Sequence, residues 1–237
     1  MNRYLAEVIG TFCLVFTGCG AIVVDGLTGG AVGHVGISAT FGLIVTAMIY
    51  AVGNVSGAHL NPAVTAGFVL ARRMPARRAG GYVTAQLAGA IVAAGLLRLI
   101  FPLADGLGAT RPAEWSWWGG ALALEAVLTF ILMFVILNVS TGHMEKGIMA
   151  GVAVGGVIAL EALFGGPVSG ASMNPARSIA PAVIGGRPGE MAVLWIYLLG
   201  PVAGALAAAP TCRLIQGNAC CDAAVAAEDR PAGPPAN

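Results

Sequence analysis

The sequence predicts an all-α membrane protein with six transmembrane helices and two re-entrant half-helices arranged as an inverted repeat. Three observations predict it. Hydrophobic residues make up 57% of the chain and charged residues 10%, and mean hydropathy is +0.84, whereas a soluble domain carries about a quarter charged residues. Asn-Pro-Ala occurs twice, at Asn61-Pro62-Ala63 and Asn174-Pro175-Ala176, and the stretches from Ser56 to Val64 and from Ser169 to Arg177 agree at six of nine positions. The halves also match away from that motif, since Glu7-Val8-Ile9-Gly10-Thr11-Phe12 resembles Glu125-Ala126-Val127-Leu128-Thr129-Phe130.

The first span is roughly Tyr4–Val24, with no charge between Glu7 and Asp25. Arg3 before it imitates the basic start of a signal peptide. The run nevertheless contains Glu7, lacks a small-x-small cleavage site and is echoed by the fourth span, so it belongs to the mature structure. No charged residue occurs from Gly26 to Ala71, a stretch that holds the second span, roughly Val35–Gly53, and the first half-helix, Asn61–Ala71. The third, fourth and fifth spans are roughly Gly80–Phe101, Gly119–Val139 and Gly147–Phe164. The second half-helix is Asn174–Val183, and the sixth span, Glu190–Thr211, is uncharged from Met191 to Cys212. About 20 apolar residues are needed to cross a bilayer, so neither Asn-Pro-Ala segment can span. Re-entrant backbone is tolerated only where protein or a water-filled cavity surrounds it. Glycine pairs such as Gly80-Gly81, Gly119-Gly120 and Gly155-Gly156 suit close helix contact.

Three spans and one half-helix make a repeat, about 1–105 and 115–213, in a domain covering 1–213. An odd number of spans inverts the second copy and brings both half-helix tips near the midplane. Arg72, Arg73, Arg77 and Arg78, with Arg3, Lys146 and Arg213, fall on one side, and only Arg111 and Arg187 occupy loops of the other. The positive-inside rule makes the first side cytoplasmic, with both termini there and the chain in the inner (plasma) membrane. Residues 214–237 turn polar and rich in Ala and Pro and read as a disordered cytoplasmic tail.

Asn is a favoured N-cap and Pro a favoured first helical residue, so each motif marks a helix N-terminus. Each half-helix then aims its positive dipole end at the membrane centre, and each Asn, while capping, can turn amide N–H groups toward a cavity. Neutral hydroxylated molecules can accept those bonds, whereas protons and metal cations meet an electrostatic barrier. Glu7 and Glu125 are costly inside a membrane and suit a supporting role, accepting hydrogen bonds from the re-entrant backbone. His59 is placed either to line the path or to pack in its loop, and His34 and His143 read as loop residues. Glu161 stands in the fifth span, at a helix interface, a subunit contact or the pore wall.

With these motifs the chain resembles the major intrinsic protein family, the aquaporins and aquaglyceroporins, from roughly Tyr4 to Thr211. Ile49-Tyr50-Ala51-Val52-Gly53, Ser56-Gly57-Ala58-His59 and the run from Gly166 to Ser178 resemble in particular the plant nodulin-like intrinsic proteins and their bacterial relatives associated with arsenic resistance. The resemblance implies a homotetramer with one pore per subunit. It also implies a constriction formed by Phe41, Ala162, Ala171 and Arg177. Water-selective members carry His at the position of Ala162 and glycerol channels an aromatic at that of Ala171, so the opening here is expected to be wide. Ser178 and Ala182, in contrast, resemble water-type and nodulin-like channels and not glycerol facilitators.

The expected activity is passive passage of small uncharged solutes (glycerol, arsenous acid or other metalloid acids, urea) and water, excluding protons and ions. Alternatives are a water-selective channel, an ion-coupled secondary transporter, for which inverted repeats are equally typical, and a structural protein with a closed pore. No nucleophile constellation, phosphate loop or zinc spacing is present, so neither enzyme, cofactor nor metal is expected. A net charge of +1 speaks against a nucleic-acid partner. The five cysteines are Cys13, Cys19, Cys212, Cys220 and Cys221; an odd number with two inside a span argues against a disulfide framework, and Cys220-Cys221 is either inert or a thiolate pair for a soft metalloid.

Overall fold

The computed structural model describes residues 2–140 and 144–220. Helices α1 (Asn2–Thr28), α2 (Gly33–Ser56), α4 (Ala76–Ile100), α5 (Trp118–Val139), α6 (Met144–Ser169) and α9 (Leu194–Gln216) carry the six spans. The half-helices are α3 (Pro62–Leu70) and α7 (Pro175–Gly185), and a short α8 (Pro188–Ala192) precedes the last span. The predicted spans all occur and extend two to five residues further at most ends, because helix continues through residues that a hydropathy reading assigns to the headgroup region. The sixth candidate span runs over Pro188–Gln216 through α8 and α9, so the expected start at Glu190 falls inside it, on α8 beside Arg187. Helix α9 runs to Gln216 and a 3₁₀ turn covers Gly217–Cys220. His143 and residues 221–237 fall outside the described residues.

The packing is duplicated. In the first repeat α1 lies against α2 and α4; in the second α5 lies against α6 and α9, and the halves join where α2 meets α6. Glycines set these crossings. A Cβ on Gly89 of α4 would run into the Val8 carbonyl oxygen of α1, and one on Gly204 of α9 would run into the Ala126 carbonyl oxygen of α5. The same glycine, two turns beyond a tyrosine (Tyr82, Tyr197), is therefore required in each repeat. Gly42 and Gly155 approach each other's carbonyls in the same way at the α2–α6 junction.

Each half-helix leans on the opposite repeat: α3 packs against α9 as well as α4, and α7 against α4 as well as α9. Leu5, Leu43, Val92, Leu99, Leu160 and Phe164 face outward, as expected of side chains in lipid. Trp115, Trp117 and Trp118 are exposed where α5 begins, the position at which aromatic rings anchor a span in the headgroup layer.

Candidate functional site: where the two half-helices meet

The re-entrant loops share one backbone form. The chain leaves α2 through Gly57 (φ 85) and α6 through Gly170 (φ 90), and each loop then places two non-glycine residues at positive φ, Ala58 (46) and Leu60 (52) in one, Ala171 (39) and Met173 (54) in the other. Such residues cost about 1 kcal/mol each, so the surroundings must hold them.

The intramembrane acids do so. Glu7, fully buried, accepts from Ser56 Oγ (2.7 Å), His59 N (2.9 Å) and Leu60 N (2.7 Å). Glu125, equally buried, accepts from Ser169 Oγ (2.7 Å), Ser172 N (2.9 Å) and Met173 N (2.8 Å). Each satisfies backbone donors that water cannot reach, where an unmade bond costs about 1–3 kcal/mol. A tyrosine completes each support: Tyr82 Oη donates to Ser56 O and Tyr197 Oη to Ser169 O.

Asn61 and Asn174 cap their half-helices, with Oδ1 accepting from Ala63 N (2.8 Å) and Ala176 N (3.0 Å). Their amide nitrogens cross between the repeats: Asn61 Nδ2 donates to Met173 O at 2.7 Å and Asn174 Nδ2 to Leu60 O at 2.8 Å. One N–H of each amide is therefore committed to joining the two tips, and the other is left to face the cavity. Pro62 and Pro175 occupy the first helical position and Ala63 and Ala176 are fully buried, which allows the close approach.

Three cavities run in series through this junction. An outer vestibule of about 260 Å³ is lined by His34, Phe41, Thr110, Ala162, Ala171 and Arg177. A central chamber of about 50 Å³ shares Phe41 and Arg177 with it and is lined further by Asn61, Asn174, Leu132 and Ile158. An inner vestibule of about 630 Å³ shares Ile49 and His59 with the chamber. At about 10–15 Å³ per water position, the chamber has room for roughly four waters between apolar walls and the two amides.

Phe41, Ala162, Ala171 and Arg177 thus line the outer vestibule together, although they come from α2, α6, the second loop and α7. Arg177 is 2% exposed; its Nη1 donates to Gly108 O at 2.9 Å, and its guanidinium carbon lies 5.2 Å from the Phe41 ring centroid. Its Nε has no protein partner, and no acidic side chain pairs with it among the described residues. Gly18 of α1 makes room for the Phe41 ring, which a Cβ there would strike.

His59 both packs and lines. Its ring stacks on Phe68 (4.4 Å) and tilts against Tyr82 (4.9 Å), with Nδ1 3.1 Å from Thr65 Oγ1, while it borders the central chamber and the inner vestibule. Glu161 is buried with both carboxyl oxygens unpartnered and lines none of the three cavities. Nothing in the structure explains it. His34 lies in the outer vestibule and bonds Leu163 O.

Several contributors were invisible in the sequence. Gly108 offers only its carbonyl, following Leu107 at φ 47. Thr110 donates to Ser178 Oγ (2.7 Å), which bonds Ser172 Oγ, and Gln86 donates to Glu7 (2.8 Å) and to Thr65 (3.0 Å). The tyrosine four residues before Gln86 and its counterpart before Pro201 were the available signal.

Residues 1–211 match the major intrinsic protein family. The chain is 52% identical over 220 residues to aquaporin NIP1-4 of Oryza sativa subsp. japonica, covering 91% of this chain and 77% of that protein. It is 45% identical over 207 residues to probable aquaporin NIP4-2 of Arabidopsis thaliana, covering 87% and 71%. The fold superimposes on the X-ray structure of the aquaglyceroporin from Plasmodium falciparum with a TM-score of 0.80, at 24% identity and over 91% of this chain and 98% of that one. The chain belongs to the major intrinsic protein family and is an integral, multi-pass membrane channel protein of aquaporin type.

Proposed function

We propose that this channel conducts small uncharged solutes (glycerol, arsenous acid or other metalloid acids, urea) together with water, and excludes protons and ions. The observation that carries the reading is the make-up of the outer vestibule where it narrows to the chamber: Ala162 and Ala171 supply two walls, Phe41 an apolar wall and Arg177 a buried cation. Two methyl groups leave room beside a guanidinium that donates hydrogen bonds to a passing oxygen and repels cations. Asn61 and Asn174 offer one amide N–H each at the middle of the path, where the two half-helix dipoles also disfavour cations.

The reading includes a homotetramer with one pore per subunit, both termini in the cytoplasm of a cell with the protein in its plasma (inner) membrane, and a channel domain of residues 1–213. The basic cluster Arg72, Arg73, Arg77 and Arg78 supports the orientation. The relatives bear the names aquaporin and, for the solved structure, aquaglyceroporin, and both kinds of flux fit the proposal.

The test is stopped-flow light scattering on proteoliposomes, comparing water, glycerol and arsenous acid for the wild type and Ala162→His. High solute permeability that the variant loses tenfold or more while keeping water flow supports the proposal. Water flow alone in the wild type overturns it in favour of a water-selective channel.

A further inference from the structure

The odd cysteine number argues against disulfides, yet Cys212 at the end of α9 and Cys220 in the last 3₁₀ turn are joined, and both are fully buried. Cys13 and Cys19 stay free. The joined pair lies on the side of the Arg72–Arg78 cluster, and its contacts lead to the inner vestibule. Arg73 Nε donates to Cys220 O at 2.7 Å, its Nη1 to Ser140 Oγ at 2.7 Å, and its Nη2 lies 3.8 Å from Cys220 Sγ. Arg73 and Ser140 both line that vestibule, with Arg78, Phe68 and His59. Nearby, Arg213 Nη2 donates to Leu70 O (2.9 Å) and Gln216 Nε2 to Asn138 Oδ1 (2.9 Å), so the end of α9 is already docked under the first half-helix without the disulfide.

We infer that Cys212 and Cys220 form a reversible thiol–disulfide site that fastens the C-terminal turn to Arg73 at the rim of the inner vestibule. Disulfides on a cytosolic face are rare and, where they occur, are usually transient or redox-sensing; that setting rests on the orientation proposed above. Reduction by a thiol of the cellular pool proceeds through a mixed disulfide. The Cys212–Cys220 bond breaks, each sulfur ends as a thiol, and the two electrons come from two reductant thiols, which become a disulfide. Hydrogen peroxide reverses it: one cysteine thiolate takes an oxygen to become a sulfenic acid, releasing one water, and the other displaces that oxygen as a second water, giving the disulfide. With the covalent link gone, the turn Gly217–Cys220 is no longer tied covalently to α9, and its contacts with Arg73 at the rim of the vestibule loosen.

The test is hydrogen–deuterium exchange of the full chain in detergent, with and without dithiothreitol, beside maleimide counting of thiols. Detergent exposes both faces, so a wrong orientation does not affect the result, and neither readout depends on solute flux. The inference predicts two additional labelled thiols after reduction, and exchange raised threefold or more over both 213–220 and 71–74. Cys212→Ser should show the raised exchange under either condition. If that variant does not fold, the wild-type pair of conditions decides alone. No gain in thiols, or faster exchange at 213–220 with 71–74 unchanged, overturns the inference.

Discussion

The two re-entrant loops share a scaffold and differ in the side chains they turn to the cavities. Ser56, Gly57, Asn61, Glu7, Tyr82 and Gly89 correspond to Ser169, Gly170, Asn174, Glu125, Tyr197 and Gly204, bond for bond and contact for contact. Three positions further along each half-helix the likeness ends, at Val64 in one and Arg177 in the other, both lining the central chamber. His59 likewise answers to Ser172, and Gln86 to Pro201. The duplicated residues are those that satisfy backbone groups in a place without water, which is a demand both copies face alike. Among the divergent residues, Val64, Arg177, His59 and Ser172 border the central chamber, and there a single copy of the charge is enough, while Gln86 donates to Glu7.

The comparison breaks most severely if the supports are removed. Glu125→Leu should leave Ser169 Oγ and two backbone N–H groups buried without acceptors, at about 1–3 kcal/mol each, and Glu7→Leu should cost a similar amount. Loss of the folded peak on size-exclusion chromatography in detergent is expected for both, and a variant of either that keeps a wild-type melting temperature contradicts the scheme. Gly204→Ala and Gly89→Ala come next: each forces a methyl into a carbonyl of the neighbouring helix, and overpacking of this kind costs about 1–3 kcal/mol. Thermal unfolding followed by circular dichroism should give equal falls for the two, because the contact is the same.

Sharper than these is the exchange of the divergent pair. Arg177→Val gives the second half-helix the residue of the first. It should leave folding nearly intact, since Arg177 has no acidic partner among the described residues, while raising cation leak through liposomes at least tenfold. Val64→Arg should block the chamber, which has only about 50 Å³ to give. The smallest effects belong to Tyr82→Phe and Tyr197→Phe, which each remove one hydrogen bond to a loop carbonyl and should lower stability by about 1 kcal/mol.

What could be read from the chain and what could not divide along physical lines. The half-helices were legible because cap, proline and preceding turn are adjacent residues, and Glu7 and Glu125 because an acid inside a membrane must have a purpose. The meeting of Phe41, Ala162, Ala171 and Arg177 in one vestibule was reached through family resemblance and spacing. The Gly108 carbonyl that anchors Arg177 was not legible, since every residue carries a carbonyl and only the left-handed turn at Leu107 presents this one. Gln86 and Thr110 act across distant segments with no motif around them. The Cys212–Cys220 link ran against the cysteine count, which treats thiols as a set and takes no account of a helix end folding back on itself.

The most direct measurement is the initial rate of glycerol entry into proteoliposomes holding the wild-type protein, over a wide range of glycerol concentrations, with and without imposed proton and sodium gradients. A passive pore predicts a rate that rises linearly with glycerol and is indifferent to either gradient. Saturable entry driven by a gradient, or no entry above that of empty liposomes, would contradict it.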